Sequence, residues 1–242
     1  MDLVLLSTTE SFVELKINRP AKRNALDRAL TAALSDALGT TRSTPLPLLI
    51  RSSTPGMFVS GADIAELAAR TRDDALARYN ATLFKEIEDY PYPTVAVVDG
   101  EALGGGCELA LACDFRIATT RSVWGLPEVR LGLVPAAGGM WRLTQLVGLG
   151  HALDMVLTGR RLSAAEANRI GLVQRVVEAA DADSAATGLA AELNRVSLDA
   201  ARLAKEIMRA SGDHRRLIDA LAMALCYESD GTQQRLRRFL DG

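Results

Sequence analysis

The chain has 242 residues, 48% of them apolar and 24% charged, a balance that can bury a sizeable core in one large domain without disulfide or metal staples. Its 28 Lys and Arg against 30 Asp and Glu leave a formal net charge of -2, which argues against a general nucleic-acid or anionic-membrane binder. Cys107, Cys113 and Cys226 form no CxxC pair, His151 and His214 stand apart from any acidic cluster, and no apolar run could span a bilayer. Met1 to Glu10 lacks the basic start and small-residue cleavage site of a secretory signal, so a cytoplasmic protein with reduced, buried thiols and no metal site is expected.

Val13, Leu15 and Ile17 alternate with Glu14, Lys16 and Asn18, the period of a half-buried strand, and Pro20 ends it. Leu26, Leu30, Ala33, Leu34, Ala37 and Leu38 recur at helical spacing, with Gly39 expected as the C-cap. Pro47 to Ile50 reads as a buried strand, and Thr94 to Val98 as a second, β-branched one. Both run into glycine-bearing turns and then into helical patterns, which predicts an α/β layered core. Thr71 with Asp74, and Ser163 with Glu166, have the spacing of capping boxes. From about Asp183 onward strand pattern disappears, and Ala, Leu and Arg at helical spacing predict an appended helical tail.

Three segments could carry chemistry. Gly104-Gly105-Gly106 stands directly before the helical run Cys107 to Cys113, and is poor material for a helix interior. As a bare helix N-terminus it would expose unpaired N-H donors at the positive end of a dipole. Neither a Walker loop nor a GxGxxG pattern fits. Glu108, one turn into this apolar helix, is either solvated or a desolvated carboxyl placed to act as acid or base. Met57 to Ile64 is a second strand-to-helix loop in which Gly61 and Ala62 could present free amides. Glu128 follows Pro127 in an apolar, turn-rich loop, and two isolated carboxylates are what paired proton transfer uses.

Taken in order, several motifs resemble the enoyl-CoA hydratase/isomerase (crotonase) superfamily, and its hydratase branch most closely. They are Asn18-Arg19-Pro20 through Asn24-Ala25-Leu26, Phe58 through Ile64, Ala102 through Ala110, Pro127-Glu128 with Leu131 through Pro135, and Leu157-Thr158-Gly159. The resemblance implies a crotonase-like spiral of ββα repeats over residues 1–190, with a C-terminal helical region, 191–242, used for trimer assembly. It places the oxyanion hole on the N-H groups of Ala62 and Gly105, and the two hydratase glutamates on Glu108 and Glu128. Coenzyme A phosphates are expected near Lys22 and Arg23, with adenine and pantetheine against Ala25, Leu26, Ala62, Asp63 and Ile64. The implied activity is hydration of a trans-2-enoyl-CoA by a homotrimer or dimer of trimers. No cofactor is needed beyond the coenzyme A of the acyl-CoA thioester substrate, and neither nucleic acid nor membrane is a partner. The alternative reactions are a shift of the double bond by an isomerase using the carboxylate near Glu128, or another acyl-CoA enolate-forming reaction such as that of a hydrolase or carbon-carbon lyase, which would normally need other residues at these positions. An acyl-CoA-binding protein without turnover would be expected to lack one or both glutamates. Ala136 departs from the family's usual glycine, and Met140 and Trp141 from its Thr-Gln pair.

Overall fold

A computed structural model describes residues 2–69 and 71–209. His214, Cys226 and the rest of the expected helical region beyond residue 209 lie outside the described residues. The main sheet is six-stranded in the order β1 (Val4–Thr8), β2 (Val13–Ile17), β3 (Leu48–Ser52), β4 (Thr94–Val98), β6 (Phe115–Thr119), β9 (Arg175–Val177). Only β1 runs antiparallel, pairing Thr8 with Val13 across a short turn; the other strands are parallel. Every residue of β4 is buried, as befits a central parallel strand covered on both faces.

A smaller sheet stacks β5 (Glu101–Leu103), β7 (Val123–Gly125) and β8 (Arg161–Ser163). The chain enters it repeatedly by the same move. From β4 it steps into β5 and then helix α5 (Gly105–Ala112); from β6 it steps into β7, a short 3-10 turn and α6 (Gly139–Thr158). Earlier turns make the same step in reduced form. After β2, Leu26 bridges Ala62 and leads into α1 (Arg28–Thr41); after β3, Val59 bridges Ala102 and leads into α2 (Ile64–Ala69). The result is the expected spiral of ββα turns. Two short helices, α3 (Arg72–Ala77) and α4 (Tyr79–Glu88), fill the next connection. Helix α7 (Ala164–Arg169) and the helices α8 (Ala182–Asn194) and α9 (Leu198–Arg209) complete the described chain.

Local chemistry sets the ends of these elements. Both expected capping boxes form: Thr71 with Asp74 opens α3, and Ser163 with Glu166 opens α7. Gly39 is not a C-cap. α1 continues through it to Thr41, whose carbonyl accepts from the buried Tyr90 hydroxyl at 2.8 Å, so a tertiary bond extends the helix past its weakest residue. The apolar core fills the space between the sheets and α1, α4, α5 and α6, while α8 covers the other face of the main sheet through Ala182, Ala186 and Leu189.

Helix α5 is held at both ends. Gly106 lies so close to the preceding turn that a Cβ would stand 2.0 Å from the Val59 carbonyl oxygen. At the far end the fully buried Arg116 donates to the carbonyls of Cys113 (2.8 Å), Ala110 (3.2 Å) and Leu172 (2.7 Å), which supplies partners that the last turn of a helix lacks. Cys107 and Cys113 are free, buried thiols in this helix and its cap.

Candidate active site

The two backbone amides singled out from sequence come together where α5 begins. Leu26 donates to the Gly61 carbonyl and accepts from the Asp63 N-H, both at 2.8 Å, which turns the N-H of Ala62 to the opposite side of its segment. Gly104 adopts φ 52° and hands the chain into α5, so Gly105 is its first helical residue and has no intrahelical acceptor. A side chain on Gly105 would reach to 3.9 Å from the Ala62 nitrogen and 3.1 Å from Leu26 Cδ1. The bare glycine keeps this corner open. Two such donors beside a helix N-terminus can hold an oxygen that carries developing negative charge.

Glu108 lies one turn further along and is 4% exposed. Its Oε1 accepts from the N-H groups of Ala137 and Gly139, each at 2.9 Å, in the turn that starts α6. Gly139 is needed there, because a Cβ would stand 2.8 Å from that same oxygen. Burial pushes the Glu108 carboxyl above its ordinary range, against the opposing pull of the two amides and of Arg142.

Glu128 opens the 3-10 turn after Pro127. Its Oε1 sits over Gly104, 3.1 Å from where a Cβ would be, and its Oε2 is buried with no hydrogen-bond partner. Burial is the chief reason that its carboxyl is raised to about 7, and the nearby Glu108 carboxyl adds to it. The two glutamates thus meet beside the glycine-lined start of α5, one bonded to the amides of Ala137 and Gly139 and the other with one buried oxygen unpartnered.

Lys22, Arg23, Ala25, Ala62, Asp63 and Ile64 all line one open cleft of about 470 Å³. Leu26 does not, being fully buried behind it. The Asp63 carboxylate is already engaged: it accepts from Arg19 at 3.0 Å and from the Ala65 N-H at 3.0 Å, which bolts the start of α2 to the loop after β2. Arg19 holds its carboxyl below the usual range. Sequence reasoning missed Arg161 and Glu101, which share this cleft; Glu101 pairs with Arg23 and, at 3.5 Å, with Arg161. It missed Asn80 as well, whose Nδ2 approaches the Gly105 corner to 3.9 Å from the Cβ that glycine lacks. Arg161 and Asn80 come from elements whose helical or strand pattern says nothing of the cleft. Among the described residues no cluster of His, Cys, Asp and Glu could hold a metal ion, and no helix is long and apolar enough to cross a membrane. A second cavity, about 460 Å³, lies between α9 and the end of α5 and contains neither glutamate.

This spiral is the architecture of the crotonase superfamily, and the chain belongs to the enoyl-CoA hydratase/isomerase family, whose model matches residues 7–237. It is 36% identical over 228 residues to a Mycobacterium tuberculosis protein named probable enoyl-CoA hydratase echA8, covering 94% of this chain and 87% of that one. Identity is also 36% to a crotonyl-CoA hydratase of Syntrophomonas wolfei, over 98% of this chain and 95% of the relative. The crystal structure of an enoyl-CoA hydratase from Bacillus anthracis superposes with a TM-score of 0.93 at 30% identity, covering 99% of this chain and 96% of the other.

The buried Glu128 carboxyl should show in stability against pH. Below the ordinary glutamate value the group is protonated whether the chain is folded or not. As pH rises the unfolded chain gives up its proton first, so folding loses free energy until about pH 7 and no further. Glu128→Gln cannot ionise and should therefore be more stable than the parent at about pH 8, by at most roughly 3 kcal/mol of folding free energy, and melt higher, the gap vanishing near about pH 4. Thermal melts across that range check this; a gap independent of pH would contradict it.

Proposed function

We propose that this chain is an enoyl-CoA hydratase, adding water across the double bond of a trans-2-enoyl-CoA to give the 3-hydroxyacyl-CoA. The observation that carries the reading is the contrast between the two buried carboxyls. Glu108 has two amide donors and a nearby guanidinium, which favour its ionised form, whereas Glu128 has an unpartnered oxygen, which favours the protonated one. Burial raises both carboxyls, and in this reading the amides and guanidinium that oppose it at Glu108 make that group the base and Glu128 the acid.

In this reading the thioester oxygen accepts from the N-H groups of Ala62 and Gly105. Ionised Glu108 takes a proton from water as the water oxygen bonds to the β-carbon. The π electrons move into the thioester as an enolate, which the two amides stabilise more strongly than the starting carbonyl. Protonated Glu128 then delivers its proton to the α-carbon, and exchange with water resets both carboxyls. Addition of water changes no net oxidation state, and both carboxyls return to their starting forms, so the step needs no oxidant, reductant or cofactor beyond the coenzyme A of the substrate itself. Lys22 and Arg23 would take its phosphates, and the backbone around Ala25, Leu26, Ala62, Asp63 and Ile64 its adenine and pantetheine. The free thiols of Cys107 and Cys113 suit a reducing compartment such as the cytoplasm.

The same proposal includes assembly into a homotrimer or a dimer of trimers, with residues 1–190 as catalytic core and 191–242 serving the contact between copies. Support comes from the exposed apolar side chains of Leu131, Leu133, Val134, Leu149, Leu153 and Leu157 on and before α6, more than an isolated surface helix usually presents. Light scattering at about micromolar concentration should return three or six chains per particle; a monomer would contradict it.

Activity is tested with crotonyl-CoA, read as loss of enoyl-thioester absorbance. Glu108→Gln and Glu128→Gln should each lose roughly 10²–10⁴ of the hydration rate, and the double variant should be little worse than the poorer single one. If the protein is an isomerase instead, Glu128→Gln abolishes turnover of a 3-enoyl-CoA while Glu108→Gln retains most of it. Near-parent hydration by Glu108→Gln would sink the two-carboxyl mechanism.

A further inference from the structure

Arg142, in the first turn of α6, has no role in the mechanism above, yet it is only 5% exposed and its side chain is spent on the turn that holds Glu108. Its Nη1 donates to the Ala137 carbonyl at 3.0 Å, and Nη2 pairs with Glu88 Oε2 at 2.9 Å. Ala137 is the residue whose own N-H donates to Glu108 at 2.9 Å, so it is gripped on both sides. The guanidinium also lies against Gly138, which adopts φ 102° and has no room for a Cβ, since one would stand 2.3 Å from Nη1. Trp141 stacks over the guanidinium at 4.3 Å, and Nε is buried without a partner. Glu88, at the end of α4, has its side chain 12% exposed and accepts from Arg209 through its carbonyl.

Stability alone does not account for this pair. Desolvating two charges costs several kcal/mol, and apolar side chains of similar volume would commonly serve the core as well. What apolar side chains could not do is bind a carbonyl and fix a turn. We infer that Arg142 is a positioning residue: through Ala137 it holds the turn whose amides aim Glu108, and Glu88 holds Arg142 in place.

The inference rests on the hydratase reading, in which Glu108 is the base. The groups around Glu108 are the uncharged Cys107 thiol on its own helix, Glu128 on the 3-10 turn, and Arg142 on α6, with Glu88 behind Arg142. Arg142 is thus the one cation named among them. Its removal should make Glu108 harder to ionise as well as less well aimed, and the acid limb of the rate profile should move to higher pH.

The test compares Arg142→Met, Arg142→Lys and Glu88→Gln with Glu108→Gln, using crotonyl-CoA across pH, with circular dichroism, melting and coenzyme A binding measured alongside. Arg142→Met should fold and bind coenzyme A within about threefold of the parent, lose roughly 10–100-fold in kcat with little change in KM, and show the shifted acid limb. Arg142→Lys keeps the charge but not the two-pronged grip, so its limb should return near the parent's while kcat recovers only in part. Glu88→Gln should shift in the same direction by a smaller factor, about 3–10-fold in kcat, and gives the readout if Arg142→Met fails to fold. Parent kcat and parent pH profile in the folded Arg142→Met variant, or in Glu88→Gln where Arg142→Met does not fold, would overturn the inference. Inactive Glu108→Gln beside an unaltered Arg142→Met would refute this role alone, whereas near-parent hydration by Glu108→Gln would refute the hydratase reading beneath it.

Discussion

Gly106 stands where no side chain can: its missing Cβ would meet the Val59 carbonyl oxygen at 2.0 Å, so helix α5 is seated directly on the segment from Val59 to Ala62. That contact sets the distance between the two amides of Ala62 and Gly105. It also decides where the next turn of α5 points, and Glu108 lies on that turn. Arg116 anchors the opposite end of the helix by taking its last carbonyls. A helix fixed at both ends, with a bare N-terminus, offers donors that need no reorganisation when charge appears near them. The remaining features of the site are arranged around this one approach of backbone to backbone.

The electrostatics follow from burial. A carboxyl taken out of water must either be paired, hydrogen-bonded or protonated. Glu108 is resolved by hydrogen bonds from Ala137 and Gly139, and Glu128 by holding its proton to about pH 7. The cationic side of the site is separate: Lys22, Arg23 and Arg161 lie at the cleft, with Glu101 shared between the two arginines. An incoming polyphosphate would compete with Glu101 for them.

Much of this was legible in the sequence because the strongest signals are local. The β-branched run Thr94 to Val98 reads as a strand, and three glycines before an apolar helical run fit a helix start as well as a tight turn. Two lone carboxylates in apolar company were conspicuous for the same reason. What escaped was non-local. β5, β7 and β8 have three residues each, too few for a period, and exist because successive turns of the spiral stack. Gly39 was expected to end α1, and a hydroxyl 49 residues away extended it. Asp63, expected at the coenzyme, turned out to tie its loop to Arg19 as well as line the cleft. Arg142 reads as one more basic residue on a surface helix; only folding shows that it is buried against Ala137. Met140 and Trp141, the departures from family pattern, lie exposed on α6.

The central claim is that folding keeps Glu128 protonated near neutrality while Glu108 beside it is held by amides. The most direct measurement is infrared difference spectroscopy of the protonated carboxyl band, titrated in the parent and in Glu128→Gln. The account predicts a band that persists to about pH 7 in the parent and loses the contribution of one carboxyl in Glu128→Gln. A parent whose carboxyls have all lost their protons by about pH 5.5, as ordinary glutamates do, would contradict it.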